Sequence, residues 1–153
     1  MSKKVLIVTC GLPASGKSTY SEWLAERGVF KRVCPDLIRK ERYGDESIQG
    51  DGKKIFSIAY ERIKMWGDYN CNVVFDATNI NSKRRKELVK EMRPYFDIII
   101  CKWFSTPIDI CIQRNMTRER QVPQEVIKRM WWDFEKPSMD EGFDLVEEIK
   151  NYY

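Results

Sequence analysis

Eight consecutive residues, Gly11 to Ser18, read G-L-P-A-S-G-K-S and fit the pattern G-x-x-x-x-G-K-[ST]. Its two glycines allow a tight turn that aims several backbone N–H groups at one point, a cradle for anions. A helix opening near Lys17 adds the positive end of its dipole. Lys17 supplies a point charge for the outer phosphates of a nucleoside triphosphate. Ser18 supplies a hydroxyl for Mg²⁺, which prefers oxygen ligands. Gly11, Pro13, Ala14, Ser15, Gly16, Lys17, Ser18 and Thr19 are therefore the expected nucleotide-binding set. ATP and Mg²⁺ are the expected cofactors, with Ser18 facing the metal and Thr19 capping the helix or touching the inner phosphate.

The chain contains no histidine. A general base at neutral pH must then be a carboxylate, a lysine or a cysteine. Asp36, in the run Pro35-Asp36-Leu37-Ile38-Arg39, follows a short strand candidate and reads as a helix N-cap, with Arg39 on the same helix face. A carboxylate there can take the proton of an attacking hydroxyl in phosphoryl transfer. The same residues also suit an ordinary cap beside a surface arginine. Asp76 ends the apolar run Val73-Val74-Phe75, where many ATPases place a carboxylate near the metal. Ala77 stands where water-activating ATPases carry a glutamate, which favours transfer to an acceptor over hydrolysis. Arg114, Arg118 and Arg120 crowd a polar connection before Pro123 and read as a lid over about residues 114–122. Ser82-Lys83-Arg84-Arg85-Lys86 puts cations at a helix start, where the dipole disfavours them and a bound phosphodiester would offset the repulsion.

Elements in alternation must position these groups. Strand candidates are Val5–Cys10, Arg32–Cys34, Asn72–Asp76, Asp97–Phe104 and Leu145–Ile149. Helical stripes fill the gaps: Tyr20, Trp23 and Leu24; Ile55, Ile58, Ala59, Ile63 and Trp66; Leu88, Met92 and Tyr95; Ile108, Cys111 and Ile112 after a Thr106-Pro107 start; and Val126, Ile127, Met130, Trp131 and Phe134. Adjacent helical positions point in different directions, so periodicity favours core packing for one of Trp131 and Trp132 over base stacking, with the other partly exposed. Apolar strands alternating with helices imply an α/β fold with a parallel sheet, and ligands bind beyond the carboxyl ends of its strands. Residues 43–54, Y-G-D-E-S-I-Q-G-D-G-K-K, read as a polar loop.

A chain of 153 residues, 42% hydrophobic, suits a single domain spanning 1–153. Its net charge of +4 permits a nucleic-acid partner without demanding one. No membrane span or signal-peptide pattern is present, so no membrane partner is expected. Cys10, Cys34, Cys71, Cys101 and Cys111 lack metal-ligand spacing. An odd number of cysteines within apolar stretches is expected of buried, reduced thiols and a cytoplasmic setting.

Four motifs in order, G-L-P-A-S-G-K-S, P-D-L-I-R, F-D-A-T-N-I-N followed by R-R, and R-N-M-T-R-E-R-Q-V-P, resemble the 5′-kinase domain of phage polynucleotide kinase and of bacterial end-healing kinases. The likeness runs from about Val5 to Phe143. It implies a P-loop NTPase fold, adenylate-kinase-like, with a five-stranded parallel sheet, helices on both faces and an arginine-bearing lid. It implies an ATP-dependent enzyme acting on the 5′-OH ends of RNA or DNA. Asp36 would be the base, with Lys17 and Arg118 catalytic beside it. Arg39 would hold the phosphate flanking the acceptor nucleoside. Lys17, Arg118 and Arg120 would grip the β- and γ-phosphates, with Arg114 near the ATP. Asp76, Thr78 and Asn79 would shape the acceptor pocket, joined by Arg85.

The chain also departs from those enzymes. It lacks the D-x-D-G-T motif of the phage phosphatase domain and the K-x-D-G of the bacterial ligase. Pro35 before Asp36 is unusual in the family. The rival readings are a small-molecule P-loop kinase, a nucleotide switch and a non-catalytic nucleotide-binding module. The first gains nothing from a D-G-F-P run, nor the second from N-K-x-D, since neither occurs.

Overall fold

Val5–Cys10 is apolar at every position except Thr9, and from Leu6 onward every residue is buried, as a strand covered on both faces requires. In the computed structural model, which describes residues 2–150, this segment is β1. The remaining elements follow in chain order: α1 (Lys17–Glu26), β2 (Phe30–Val33), α2 (Pro35–Tyr43), α3 (Gly52–Asp68), β3 (Asn72–Phe75), α4 (Ser82–Met92), β4 (Ile98–Phe104), α5 (Ile108–Met116), α6 (Gln124–Asp133) and β5 (Leu145–Ile149). Short 3₁₀ turns occupy Arg93–Tyr95 and Met139–Glu141.

The five strands form one parallel sheet in the order β2-β3-β1-β4-β5. Central β1 pairs Leu6, Ile7 and Val8 with Val73, Val74 and Phe75 of β3. On its other side it pairs with β4 from Val5–Ile98 to Cys10–Trp103. Side chains alternate across a strand. Leu6, Val8 and Cys10 therefore share a face with Val73, Phe75, Ile99 and Cys101, and pack with Ile55, Ala59 and Ile63 of α3 and Leu88, Val89 and Met92 of α4. Right-handed crossovers send α1 to the opposite face, where Tyr20 meets Phe104 edge-on at 5.5 Å.

The expected architecture is present, with local differences. β2 begins at Phe30, two residues before the expected start; Lys31 is exposed and Arg32 is paired with Asp76, so this edge strand carries both charges. Cys34 takes the N-cap of α2 and Pro35 its first turn, so Asp36 is a first-turn residue and not the cap. Proline's fixed φ suits that position. Pro107, not Thr106, takes the N-cap of α5. Trp131 and Trp132 are 47% and 79% exposed, contrary to the core packing expected of one of them. α6 buries Ile127 alone, and the two indoles pack edge-on against each other at 5.3 Å. Trp23 is likewise exposed on α1, under the guanidinium of Arg27. All five cysteines are free. Among the described residues no helix is long and apolar enough to cross a membrane.

Candidate active site

The carboxyl ends of β1, β2 and β3 and the connection between α5 and α6 carry most of the candidate residues. After β1 the chain turns through Gly11 at φ 156°, Ala14 at φ 63° and Gly16 at φ 110°, and Gly16 sits at the N-cap of α1. A Cβ on Gly11 would lie 2.8 Å from the Phe104 carbonyl oxygen and 2.9 Å from Ser15 Oγ, so only glycine fits there. Three contacts hold the loop. Gly11 N–H donates to the Thr78 carbonyl at 2.9 Å and Ser15 N–H to the Leu12 carbonyl at 3.2 Å. The buried Thr106 hydroxyl donates to the Ser15 carbonyl at 2.8 Å.

Lys17 opens α1 and is 6% exposed. Its Nζ donates to the Leu12 carbonyl at 2.6 Å and to Ser15 Oγ at 3.4 Å, both neutral, and it joins no ion pair among the described residues. Burial pushes its ammonium below the ordinary lysine range, against a partial pull upward from Asp76. A buried cation facing only neutral oxygens at a helix N-terminus is a fit for phosphate. Ser18 and Thr19 are exposed on the first turn, which leaves the Ser18 hydroxyl available to a metal ion held by those phosphates. The set Gly11 to Thr19 thus suits a Mg²⁺–nucleotide in shape and charge.

Asp36 stands one residue past the start of α2, at the carboxyl end of β2. Arg39 NH1 donates to its Oδ1 at 2.8 Å. Arg120, from the α5–α6 connection, reaches its Oδ2 at 3.5 Å and brings Nε to 3.4 Å from Glu46 Oε1. The Nε groups of Arg39 and Arg120 are buried and lack hydrogen-bond partners among the described residues. The resemblance implied a grip on the donor phosphates for Arg120; here it lies against Asp36 and Glu46. Arg118 is half-buried, close enough to Lys17 to disfavour its charge. Arg114 lies on α5, so the connection between α5 and α6 is 117–123.

The Asn115 side chain bonds across the connection between α5 and α6. Asn115, buried at the end of α5, donates from Nδ2 to the Val122 carbonyl at 2.7 Å and accepts Val122 N–H at Oδ1 at 2.9 Å. Gln121 Nε2 adds a bond to the Met116 carbonyl at 2.7 Å.

The loop after β3 departs most from expectation. Asp76 is 3% exposed, and Arg32 grips its Oδ2 from Nε at 3.0 Å and NH2 at 2.7 Å. Thr78 contributes its carbonyl to Gly11. Asn79, at φ 46°, donates its amide N–H to the Thr9 carbonyl at 2.7 Å. Asp76 and Asn79 are thus both held by the chain itself, Asp76 by Arg32 and Asn79 on Thr9. Arg85 is fully buried. It bonds Glu141 Oε1 at 2.7 Å and Oε2 at 2.8 Å, the Glu135 carbonyl at 2.7 Å and the Asn79 carbonyl at 2.7 Å. A guanidinium with every nitrogen engaged inside the core cannot bind an acceptor, so Arg85 is corrected to a structural residue. Burial pushes the Glu141 carboxyl up, but bonds from Arg85 and Ser82 outweigh it and hold it below the ordinary range. Arg32, Thr106, Asn115 and Glu141 escaped sequence reasoning. Only Thr106, next to a proline after a strand, carried a local signal.

The chain is similar to known proteins in sequence and in fold. L-seryl-tRNA(Sec) kinase of Methanococcus maripaludis is 28% identical over 152 residues, covering 92% of this chain and 56% of its own length. The bifunctional polynucleotide phosphatase/kinase of Schizosaccharomyces pombe is 25% identical over 149 residues, covering 94% of this chain and 33% of its own length. The chain thus spans only part of the curated relatives it matches. A chain in the structure of the Pnkp1/Rnl/Hen1 RNA repair complex shares the fold, with a TM-score of 0.76 at 21% identity over 87% of this chain and 44% of that one. Residues 6–137 match the family model described as an AAA domain, and the chain belongs to that family, AAA_33, as a P-loop kinase domain.

Proposed function

We propose that the chain is an ATP-dependent polynucleotide 5′-hydroxyl kinase that acts on RNA or DNA ends, as in nucleic-acid end repair. Arg39 and Arg120 carry this reading. They converge on Asp36 from two elements, and each keeps a buried Nε–H with no hydrogen-bond partner among the described residues. Guanidinium donors beside a carboxylate suit an acceptor that brings its own phosphate next to its hydroxyl. A nucleotide end does so and a simple sugar does not.

When bound, the Mg²⁺–nucleotide supplies the transferable phosphoryl group and neutralises part of its charge. Lys17 and Arg118 hold negative charge on the donor side. Asp36 accepts the proton of the acceptor hydroxyl as that oxygen attacks. Arg39 and Arg120 orient Asp36 and the acceptor together, and the lid loop keeps water out. Catalysis in this arrangement is placement and electrostatics.

The 28% identity to a kinase named for seryl-tRNA favours a second reading, an alcohol carried on RNA as acceptor. Transfer of label from γ-labelled ATP separates the two. The panel is 5′-OH RNA, 5′-OH DNA, 3′-mononucleotides, seryl-tRNA, sugars and simple alcohols. Labelling of 5′-OH ends is expected. Labelling confined to seryl-tRNA would establish the second reading, and labelling confined to sugars or simple alcohols would overturn both.

A further inference from the structure

The surface of α4 is sorted by charge. Arg85, Leu88, Val89 and Met92 turn into the core. Glu87 and Glu91 share a second arc toward α3, where Glu91 pairs with Lys64 at 2.8 Å. Lys83, Lys86 and Lys90 fall in a third arc, and Arg93 at the C-cap continues it. At 3.6 residues per turn these four positions span about 80° of the circumference. The three lysines are exposed and join no ion pair among the described residues, while Arg93 pairs with Asp144 at 2.7 Å. A groove lined by Lys86, Val89, Lys90, Arg93, Pro94, Glu141 and Gly142 runs beside them. Its one carboxylate, Glu141, is already held by Arg85 and Ser82.

Like charges at i and i+4, as at Lys86 and Lys90, destabilise a helix by about 0.2–0.5 kcal/mol. Glu87, at i+4 from Lys83 and i−3 from Lys90, forms no ion pair with either among the described residues, so the stripe keeps its positive charge and is electrostatically complementary to an external polyanion. Its direction identifies the kind. α4 starts directly after the loop that follows β3, at the edge that holds Asp36, and runs back to the opposite edge of the sheet. From Lys83 to Arg93 the stripe is about 15 Å long. A linear polyanion with one end at the acceptor site would lie along it.

We propose that the Lys83–Lys86–Lys90–Arg93 face of α4 binds the sugar-phosphate backbone of the acceptor strand as it leads away from its reacting 5′ end. This rests on the polynucleotide reading above. Each of the three lysines neutralises a phosphate without reading sequence, so the contact is salt-dependent and indifferent to base identity.

The test measures fluorescence anisotropy of a labelled, 5′-phosphorylated 20-nucleotide RNA across a salt series, without ATP. Wild type is compared with Lys86→Glu/Lys90→Glu and with Arg27→Glu/Lys31→Glu, which changes the net charge equally on another surface. The α4 variant is expected to lose about tenfold or more in affinity, and its log–log salt slope to fall by about 1.4, two phosphates at 0.7 each. Lys86→Gln/Lys90→Gln should show a smaller loss of the same kind. The α1–β2 variant should stay close to wild type, and transfer to a 3′-mononucleotide should be unchanged in the α4 variant. Unchanged affinity of the α4 variant, or equal losses in both charge-reversal variants, would overturn the proposal. Polyglutamate competing as well as RNA per unit charge would reassign the face to an acidic protein and overturn it too. The probe cannot be phosphorylated at its 5′ end. Binding that depends on α4, in a chain that labels no 5′-OH end, would therefore keep the track and sink the kinase reading. Labelling with unaffected binding would do the reverse.

Discussion

Lys17 is held in a costly position. An ammonium that is 6% exposed and bonded to two neutral oxygens gives up hydration without gaining a counter-ion from the chain. The cost at neutral pH follows from its lowered pKa. In the window between the folded value and the ordinary 10.5 the unfolded chain binds more protons, so stability rises with pH there. Lys17→Met should therefore leave the melting temperature unchanged or raise it, and should abolish that alkaline gain. The same variant should weaken ATP binding by about tenfold or more, the scale of one charge-assisted hydrogen bond. Calorimetry of unfolding and of ATP binding reads both; a large loss of stability would mean that Lys17 serves the fold. Lys17, like the Asp36–Arg39 pair, was legible from sequence because its partners are local. Arg120 was legible as a lid arginine but not as a partner of Asp36, since 84 residues separate the two.

At the level of elements, the connection between α5 and α6 depends on Asn115, whose amide bonds both the N–H and the carbonyl of Val122. Those bonds close a turn that carries Arg118 and Arg120. Asn115→Ala should cost about 1–3 kcal/mol, because it leaves buried backbone groups unpaired. It should also lower kcat and speed proteolytic cleavage within 117–123, with Asn115→Asp falling between, since it keeps the acceptor and loses the donor. Normal kcat and cleavage rate in Asn115→Ala would show that the loop holds its shape without those bonds. Three arginines before a proline marked this segment in the sequence. The amide that shapes it was silent there, because its role exists only once the loop has closed. The exposed Trp131 and Trp132 teach the converse. Helical periodicity finds an apolar face but not whether another element arrives to cover it.

Over the whole molecule, Arg85 ties together the loop after β3, the end of α6 and the 3₁₀ turn before β5. Arg85→Met strands the Glu141 carboxylate in the core and should cost about 3–5 kcal/mol in urea unfolding at pH 7. Because Glu141 titrates below its ordinary 4.5, its stabilisation is complete above that value and is lost as pH falls through the depressed one. Glu141→Gln should flatten this acid loss, and an unchanged acid profile would deny Glu141 that part. The alternation of strands and helices, the parallel sheet and the edge that holds the site were all legible, since they follow from periodicity and chain order. The Arg85–Glu141 pair was not, since a run of cations at a helix start looks like surface until the fold brings a carboxylate from 56 residues away. The proposed chemistry rests on two features, the glycine loop at the start of α1 and the Asp36 carboxylate at the start of α2. Asp36→Asn tests it most directly, with ATP affinity and transfer to a 5′-OH oligonucleotide measured on the same preparation. Nucleotide affinity should persist while transfer falls about 100-fold or more; wild-type turnover in that variant would remove Asp36 from the chemistry.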